Sequence, residues 1–255
     1  MTLREAGALL IGDELLGGRV RDANGPLLAR VLFDCGIRLR RLVVCPDEPA
    51  EIVEELRRMV ARYDVVFTSG GVGPTHDDVT MEAVAEALER PLLEDGRLAE
   101  ALRGFYGERF TEAHRRMARV PTGTELLRCE GVPFPVLKVD RVFVLPGVPR
   151  FFEAKLRALR PWLRTRTAGS LRSGSLRVEA DEGRLAPLLA EVAARFPTVH
   201  LGSYPRQRAD GSWYVLLACD GPDGAAVAAA CEALRERLLG RFRVEEGDDG
   251  TDDGC

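Results

Sequence analysis

Between Thr68 and Thr80 the chain reads T-S-G-G-V-G-P-T-H-D-D-V-T. Three glycines, several hydroxyl residues and the adjacent Asp77 and Asp78 fall between an apolar run and a stretch of helical spacing. This composition suits the binding of a phosphate group with a metal ion. Gly70, Gly71 and Gly73 let the backbone take positive φ and approach a ligand closely. Amide groups at a helix start face an anion readily. Ser69 and Thr75 add hydroxyls to such a cradle. Hard divalent cations prefer oxygen ligands, and magnesium often uses only one or two carboxylates together with substrate phosphates. Asp77 and Asp78, at or beside the helix N-cap, offer two. A metal at a diphosphate lowers the pKa of bound water and polarises the phosphoryl oxygen, and helix amides stabilise the charge that develops. Capping alone also explains an aspartate here. His76, next to this pair, is a further acid or base candidate and ranks below the aspartates.

Further acids stand in other loops. Glu14 lies in Gly12-Asp-Glu-Leu-Leu-Gly-Gly18, where it could meet a metal, a ribose hydroxyl or a base, or only solvent. Asp22 and Asn24 bracket a helix start; capping explains one of them, which leaves one, Asn24, to orient a ligand. Asp47 follows an apolar run and reads equally as a cap or a ligand. No Gly-Lys-Ser/Thr follows the glycines, so this is no Walker loop. Ser69 and Ser203 lack a nucleophile-elbow context. His114 and His200 read as structural.

The elements that must position these residues alternate. Ala6 to Ile11, Ile37 to Val44 and Val65–Phe67 read as strands. Helices open at Asn24, with Pro26 in the first turn, and carry the faces Ile52, Val53, Leu56, Met59, Val60 and Val79, Ala83, Val84, Leu88. Such βαβαβα order implies a parallel sheet with helices on both faces. Ligands then bind beyond the carboxyl ends of the strands, where loops 12–24, 45–48 and 68–78 should converge. Arg97 to Ala118 reads as helical with a break near Gly104–Gly107. Val136–Val139 and Val142–Leu145 suggest a hairpin around Asp140-Arg141. Pro146, Gly147 and Pro149 turn into an amphipathic helix and form a rim loop. The pattern changes after Pro161, where a small polar linker is expected. Beyond it the order βαββαβ matches a ferredoxin-like layout.

The 255 residues, 45% apolar and 30% charged, allow one large or two medium domains. The expected division is an α/β domain over 1–167, a small α+β domain over 168–245 and a disordered acidic tail over 246–255. The net charge of −4 gives no electrostatic case for nucleic acid. No apolar run approaches the length of a membrane span, and the N-terminal run is too short for a signal peptide. A cytoplasmic protein is expected. Basic residues are almost all arginine, with lysine only at Lys138 and Lys155. The six cysteines form no C-x-x-C pair, so a zinc site is not expected.

Together, Gly12-Asp-Glu-Leu-Leu-x-Gly, Asp22-x-Asn24, Thr68–Thr80 and Leu145-Pro-Gly-Val-Pro149 resemble the molybdopterin-binding (MoaB/MogA-like) domain superfamily. Within it, the chain is more similar to the branch of CinA and the N-terminal domain of FAD synthase. Val44-Cys-Pro-Asp-Glu48, G-P-T-H-D-D-V-T, Val132-Pro-Phe-Pro-Val136 and Leu201-Gly-Ser-Tyr-Pro205 look more like FAD synthase. CinA proteins usually carry Asn-Pro-x-Gly-Thr-Ala-Pro-Gly where this chain has Glu130-Gly-Val-Pro-Phe. The resemblance implies a MogA-like three-layer α/β/α fold with a mostly parallel sheet, followed by the small α+β domain. It implies a divalent-metal-dependent (Mg, Co or Ni) pyrophosphatase acting on FAD or ADP-ribose, or else a molybdopterin- or nucleotide-binding module without turnover. The superfamily's two aspartates match Asp47 and Asp78, the expected metal ligands, with Asp77 and Glu14 beside them as catalytic acids. Relatives self-associate, so a dimer or trimer is expected. The reductase-like domain of FAD synthase and the amidohydrolase domain of CinA have no counterpart here, so neither FAD synthesis nor nucleotide deamidation is expected.

Overall fold

The structure is a computed structural model that describes residues 2–128, 132 and 134–247. Residues 248–255 of the expected tail, and Cys129 to Gly131 and Pro133 of the motifs above, lie outside the described residues. The chain divides into two compact units, Met1–Ala168 and Gly169–Cys255.

The first unit runs β1 (Glu5–Ile11), α1 (Asp13–Leu16), α2 (Asn24–Asp34), β2 (Arg38–Cys45), α3 (Pro49–Arg62), β3 (Val65–Ser69), α4 (Thr80–Ala87), β4 (Leu92–Glu94), α5 (Gly96–Tyr106), α6 (Glu112–Arg116), β5 (Arg119–Pro121), β6 (Glu125–Leu127), β7 (Val136–Val139), β8 (Val142–Leu145) and α7 (Pro149–Arg164). Six strands form one sheet in the order β2-β1-β3-β8-β7-β6. β1 pairs in parallel with β2 and β3, and β3 with β8. β7 runs antiparallel to β8 and to β6. All five residues of β3 are buried, as a central strand covered on both faces requires.

Each face of the sheet has its own core. On one, Ile52, Leu56 and Met59 of α3 meet Val84 of α4 and Leu98 and Leu102 of α5. On the other, Leu28, Val31 and Leu32 of α2 meet Phe152, Leu156, Leu159 and Leu163 of α7. Phe67 and Phe143, on adjacent strands, stack with centroids 5.2 Å apart. This is the three-layer α/β/α architecture expected.

The hairpin β7–β8 forms as expected without a turn glycine. Asp140 supplies the left-handed residue at φ 50°, and the Arg90 guanidinium donates to its carboxylate. The expected break after α5 occurs at Gly107, also left-handed. Pro161 is tolerated inside α7, which continues to Arg164, because Trp162 and Leu163 beyond it pack into the core and offset the one N–H that proline lacks. The antiparallel pair β4–β5 was not expected, since its three-residue strands carry no periodic signal.

The second unit runs β9 (Arg172–Glu179), α8 (Glu182–Arg195), β10 (His200–Gln207), β11 (Trp213–Gly221), α9 (Gly224–Leu238) and β12 (Arg243–Glu246). Its sheet order, β10-β11-β9-β12, is antiparallel throughout. That is the ferredoxin-like βαββαβ arrangement, with Leu185, Val192, Leu234 and Leu238 of the two helices buried against the sheet. No helix among the described residues is long and apolar enough to cross a membrane.

Candidate functional site

The parallel strands all end on one side of the first unit, and each end releases a loop. β1 leads through Gly12 to Glu14, β2 to Asp47, β3 to residues 70–78 and β8 to residues 146–149. These loops line one cavity of about 570 Å³. Its position beyond the carboxyl ends of the strands is where an open α/β sheet binds ligands.

The loop after β3 has a shape that only glycine permits. Gly70 sits at φ 109°, and a Cβ there would stand 2.0 Å from the Ile11 carbonyl oxygen. Gly71 is left-handed, and its Cβ would lie 2.3 Å from Thr80 Oγ1. That hydroxyl donates to the Gly70 carbonyl at 2.9 Å, and the Thr80 N–H donates to the Gly71 carbonyl at 3.0 Å. α4 thus begins at Thr80 with Val79 as its N-cap and no side-chain cap. The expectation that Asp77 or Asp78 caps this helix is corrected. Asp78 turns back into the loop, accepting from Gly73 N at 2.6 Å and Thr75 N at 2.8 Å, and from the Thr75 hydroxyl. Arg116 of α6 donates to Pro74 O at 3.1 Å from the other side.

Asn24 stitches the neighbouring loops together. Its Nδ2 donates to Ser69 Oγ at 3.0 Å and to Gly147 O at 2.7 Å, and Ser69 Oγ donates to Pro146 O at 3.3 Å. Asp22, not Asn24, satisfies the first amides of α2, accepting from Asn24 N and Gly25 N. Asn24 and Ser69 are buried and, like Thr75, are not among the described residues lining the cavity. They were expected to touch ligand; Asn24 and Ser69 tie the loops that border the cavity to one another. Glu14, Asp47, Gly70, Gly71, Gly73, Asp77, Asp78, Pro146, Gly147 and Pro149 do line it. His76 does not, and its side chain is 97% exposed.

The acids form a graded set. Partial burial pushes the Asp47 carboxyl up from its ordinary value, opposed by the Asp13 N–H that donates to it at 2.9 Å, and the charges of Glu14, Asp13 and Asp77 push it further. Asp77 is held below its ordinary value, chiefly by the nearby Thr75 side chain. Burial, then the Asp47 charge, drives the neighbouring Cys45 thiol up to about 12, so it stays protonated. The charges of Glu14 and Asp77 thus act on Asp47, an arrangement that a cation among them would relieve, and carboxylate oxygens suit a hard one. Among the described residues, no group of three or more His, Cys, Asp or Glu side chains forms a ready-made metal site. Asp47, Glu14 and Asp77 line the same cavity wall. The carboxylate of Asp78 is already engaged on both oxygens by the loop.

The sequence reading missed the other half of the cavity. Leu98, Leu102, Tyr106, Phe134, Phe151 and Lys155 line it. They come from α5 and α7, on opposite faces of the sheet, and from the approach to β7. The rarity of lysine was the one available signal.

Comparison with known proteins places this geometry. A family described as "Probable molybdopterin binding domain" matches residues 7–165, and one described as "FAD synthase, middle domain" matches residues 170–246. A protein named "Probable FAD synthase" from Caenorhabditis elegans is 31% identical over 94% of this chain and 51% of its own length. A "CinA-like protein" from Myxococcus xanthus is 35% identical over 91% of this chain and 58% of its own length. The chain therefore spans little more than half of these two relatives. The crystal structure of the protein CinA from Thermoplasma acidophilum matches with a TM-score of 0.58 and 30% identity, over 63% of this chain and 98% of that one.

Proposed function

The chain belongs to the molybdopterin-binding domain family matched over residues 7–165, and from that premise we propose that its cavity binds a nucleotide or pterin diphosphate and hydrolyses it with a divalent metal. One observation carries the reading: a carboxylate group at the ends of β1 and β2 faces the same cavity as the glycine loop after β3. The amide-rich turn of Gly70–Gly73 receives phosphate oxygens. Asp47, with Glu14 or Asp77, would hold the metal ion. The bound ion would lower the pKa of a water and offset the charge developing on the phosphoryl group. Whichever of Glu14 and Asp77, both on the cavity wall, does not bind the ion would accept the proton that water loses. The water oxygen joins one phosphorus, the bridging P–O bond breaks, and two monophosphates leave. Asp78 keeps the loop in the receiving shape, and Asn24 keeps the two loops in register. Nucleotides such as FAD or ADP-ribose fit this chemistry. The test is formation of two monophosphates from FAD with Mg²⁺, Co²⁺ or Ni²⁺.

A second reading has its own support. Because no three acidic, histidine or cysteine side chains among the described residues form a metal site beforehand, the cavity also suits a protein that holds a pterin or nucleotide without turning it over. Binding with no hydrolysis under any of the three metals selects that reading. Self-association into a dimer or trimer and a cytoplasmic location are further proposals, checked by light scattering and by fractionation.

A further inference from the structure

Four cysteines among the described residues carry thiols, and two of them meet. In the second unit, Cys219 lies on β11 opposite Gly174 of β9 in antiparallel register. Side chains directly opposite in such a pair share a face and stand about 5 Å apart at Cβ. Gly174 has no side chain, and the space is taken from the helix side. A Cβ on Gly174 would stand 2.7 Å from the sulfur of Cys231 and 3.7 Å from Val227, one turn earlier on α9. The face of α9 on the sheet is short-chained, with Ala230 and Ala233 buried beside Val227, so the helix seats low. The glycine therefore lets the Cys231 sulfur rest over the strand pair, next to the Cys219 thiol in the core of this unit.

The two sulfurs are not equivalent. Cys219 is 1% exposed, whereas Cys231 is half-buried. A hydrogen bond with the Cys231 side chain, and then burial, hold the Cys219 thiol well above its ordinary value. Cys219 therefore keeps its proton and donates it toward Cys231, and the Cys231 sulfur is the one an incoming reagent meets. Thiol–disulfide exchange depends on the access of the attacking sulfur, and it closes a bridge when a second thiol stands beside the first. We propose that Cys219 and Cys231 form an exchange site for small-molecule disulfides, with glutathione disulfide as the type, that closes as a Cys219–Cys231 bridge between β11 and α9. The Cys231 sulfur, as thiolate, attacks one sulfur of the reagent. The reagent's S–S bond breaks, one thiol leaves, and Cys231 carries the other half as a mixed disulfide. Cys219 then gives its proton to solvent and attacks the Cys231 sulfur, expelling the second thiol. Two protein thiols are oxidised, and one disulfide is reduced to two thiols. Cys35 and Cys45, both buried in the first unit, are internal controls.

In the test, the folded whole chain is incubated with oxidised glutathione, alkylated in denaturant and digested with trypsin. Cys219 and Cys231 fall in one tryptic peptide, Ala209 to Arg235. That peptide should lose two hydrogens and escape alkylation, and a dithiol reductant should reverse both. Cys35 and Cys45 should react at least tenfold more slowly. The bridged chain should also need more urea to unfold its second unit. Cys219→Ser should stop at a glutathione adduct on Cys231. Cys231→Ser should leave Cys219 unmodified over the same period, and it serves if Cys219→Ser does not fold. Gly174→Ala, which fills the space under the Cys231 sulfur, should slow closure at least tenfold. The proposal is overturned if the parent peptide stays fully alkylated, if the parent stops at the mixed disulfide, or if either cysteine bridges to a different peptide. Modification of Cys219 at the parent's rate in Cys231→Ser overturns it as well.

Discussion

The side-chain amide of Asn24 donates to the carbonyl oxygen of Gly147 at 2.7 Å, across 123 residues of sequence. The same nitrogen reaches Ser69 at the end of β3, so one buried side chain fixes the start of α2, the glycine loop and the Pro-Gly rim relative to one another. Asn24→Ala removes both hydrogen bonds and leaves the Gly147 carbonyl to find another partner. Net hydrogen bonds contribute about 1 kcal/mol each, and an unsatisfied buried group costs more, so a loss of about 2–3 kcal/mol is expected from urea unfolding of the first unit. Asn24→Asp should not rescue it, because a carboxylate has no N–H to donate.

Gly70→Ala places a methyl group 2.0 Å from the Ile11 carbonyl in a backbone conformation alanine avoids. The backbones of β1 and β3 are fixed by their pairing, so neither gives way. This variant should lose more than about 3 kcal/mol, or fail to fold. Gly104→Ala is the control. It lies within α5 with nothing near its Cβ position, and there it should raise stability by about 0.5–1 kcal/mol. Urea midpoints of the two variants should move in opposite directions.

Those two glycines also show what the sequence could and could not reveal. The alternation of apolar runs and helical spacing marked nearly every strand and helix of both units, and the glycines with nearby acids marked the edge of the cavity. Asp78 and Ser69 were legible as site residues but not in their roles. Whether a loop carboxylate faces a ligand or its own backbone depends on φ at Gly70 and Gly71, not at Gly73 as expected, and composition does not fix it. Asn24 could only be narrowed to a cap or a ligand, since its true partners, Ser69 and Gly147, are set by tertiary contact. Tyr106, Phe134 and Lys155 were missed as site residues because α5, α7 and the approach to β7 bring them to one cavity only in the tertiary fold.

Asp78 acts as a brace for the loop, and its loss should be felt locally. In Asp78→Ala the amides of Gly73 and Thr75 lose their acceptor. Hydrogen exchange at these two positions should speed up at least tenfold, while amides of β3 keep their protection. Unchanged exchange would mean that the loop holds its shape without the carboxylate.

Asp47 should make stability depend on pH. Its carboxyl is raised in the folded protein from an ordinary value of 3.8, so the folded state holds that proton more tightly than the unfolded chain. The stabilisation this provides is present below the ordinary value and is lost as pH rises through the folded-state value. Asp47→Asn removes the charge and keeps an acceptor for the Asp13 N–H. In metal-free buffer the variant should therefore melt above the parent protein at pH 7, and the gap should shrink as pH falls toward 4. A gap that widens on acidification would contradict the assigned environment.

The most direct measurement is hydrolysis of FAD by the parent protein and by Asp47→Asn, followed as FMN and AMP with Mg²⁺, Co²⁺ or Ni²⁺ present and with chelator. The account expects stoichiometric release of both monophosphates that needs the metal and falls at least a hundredfold in the folded variant. Release that persists in chelator, or is unaltered in Asp47→Asn, would contradict it.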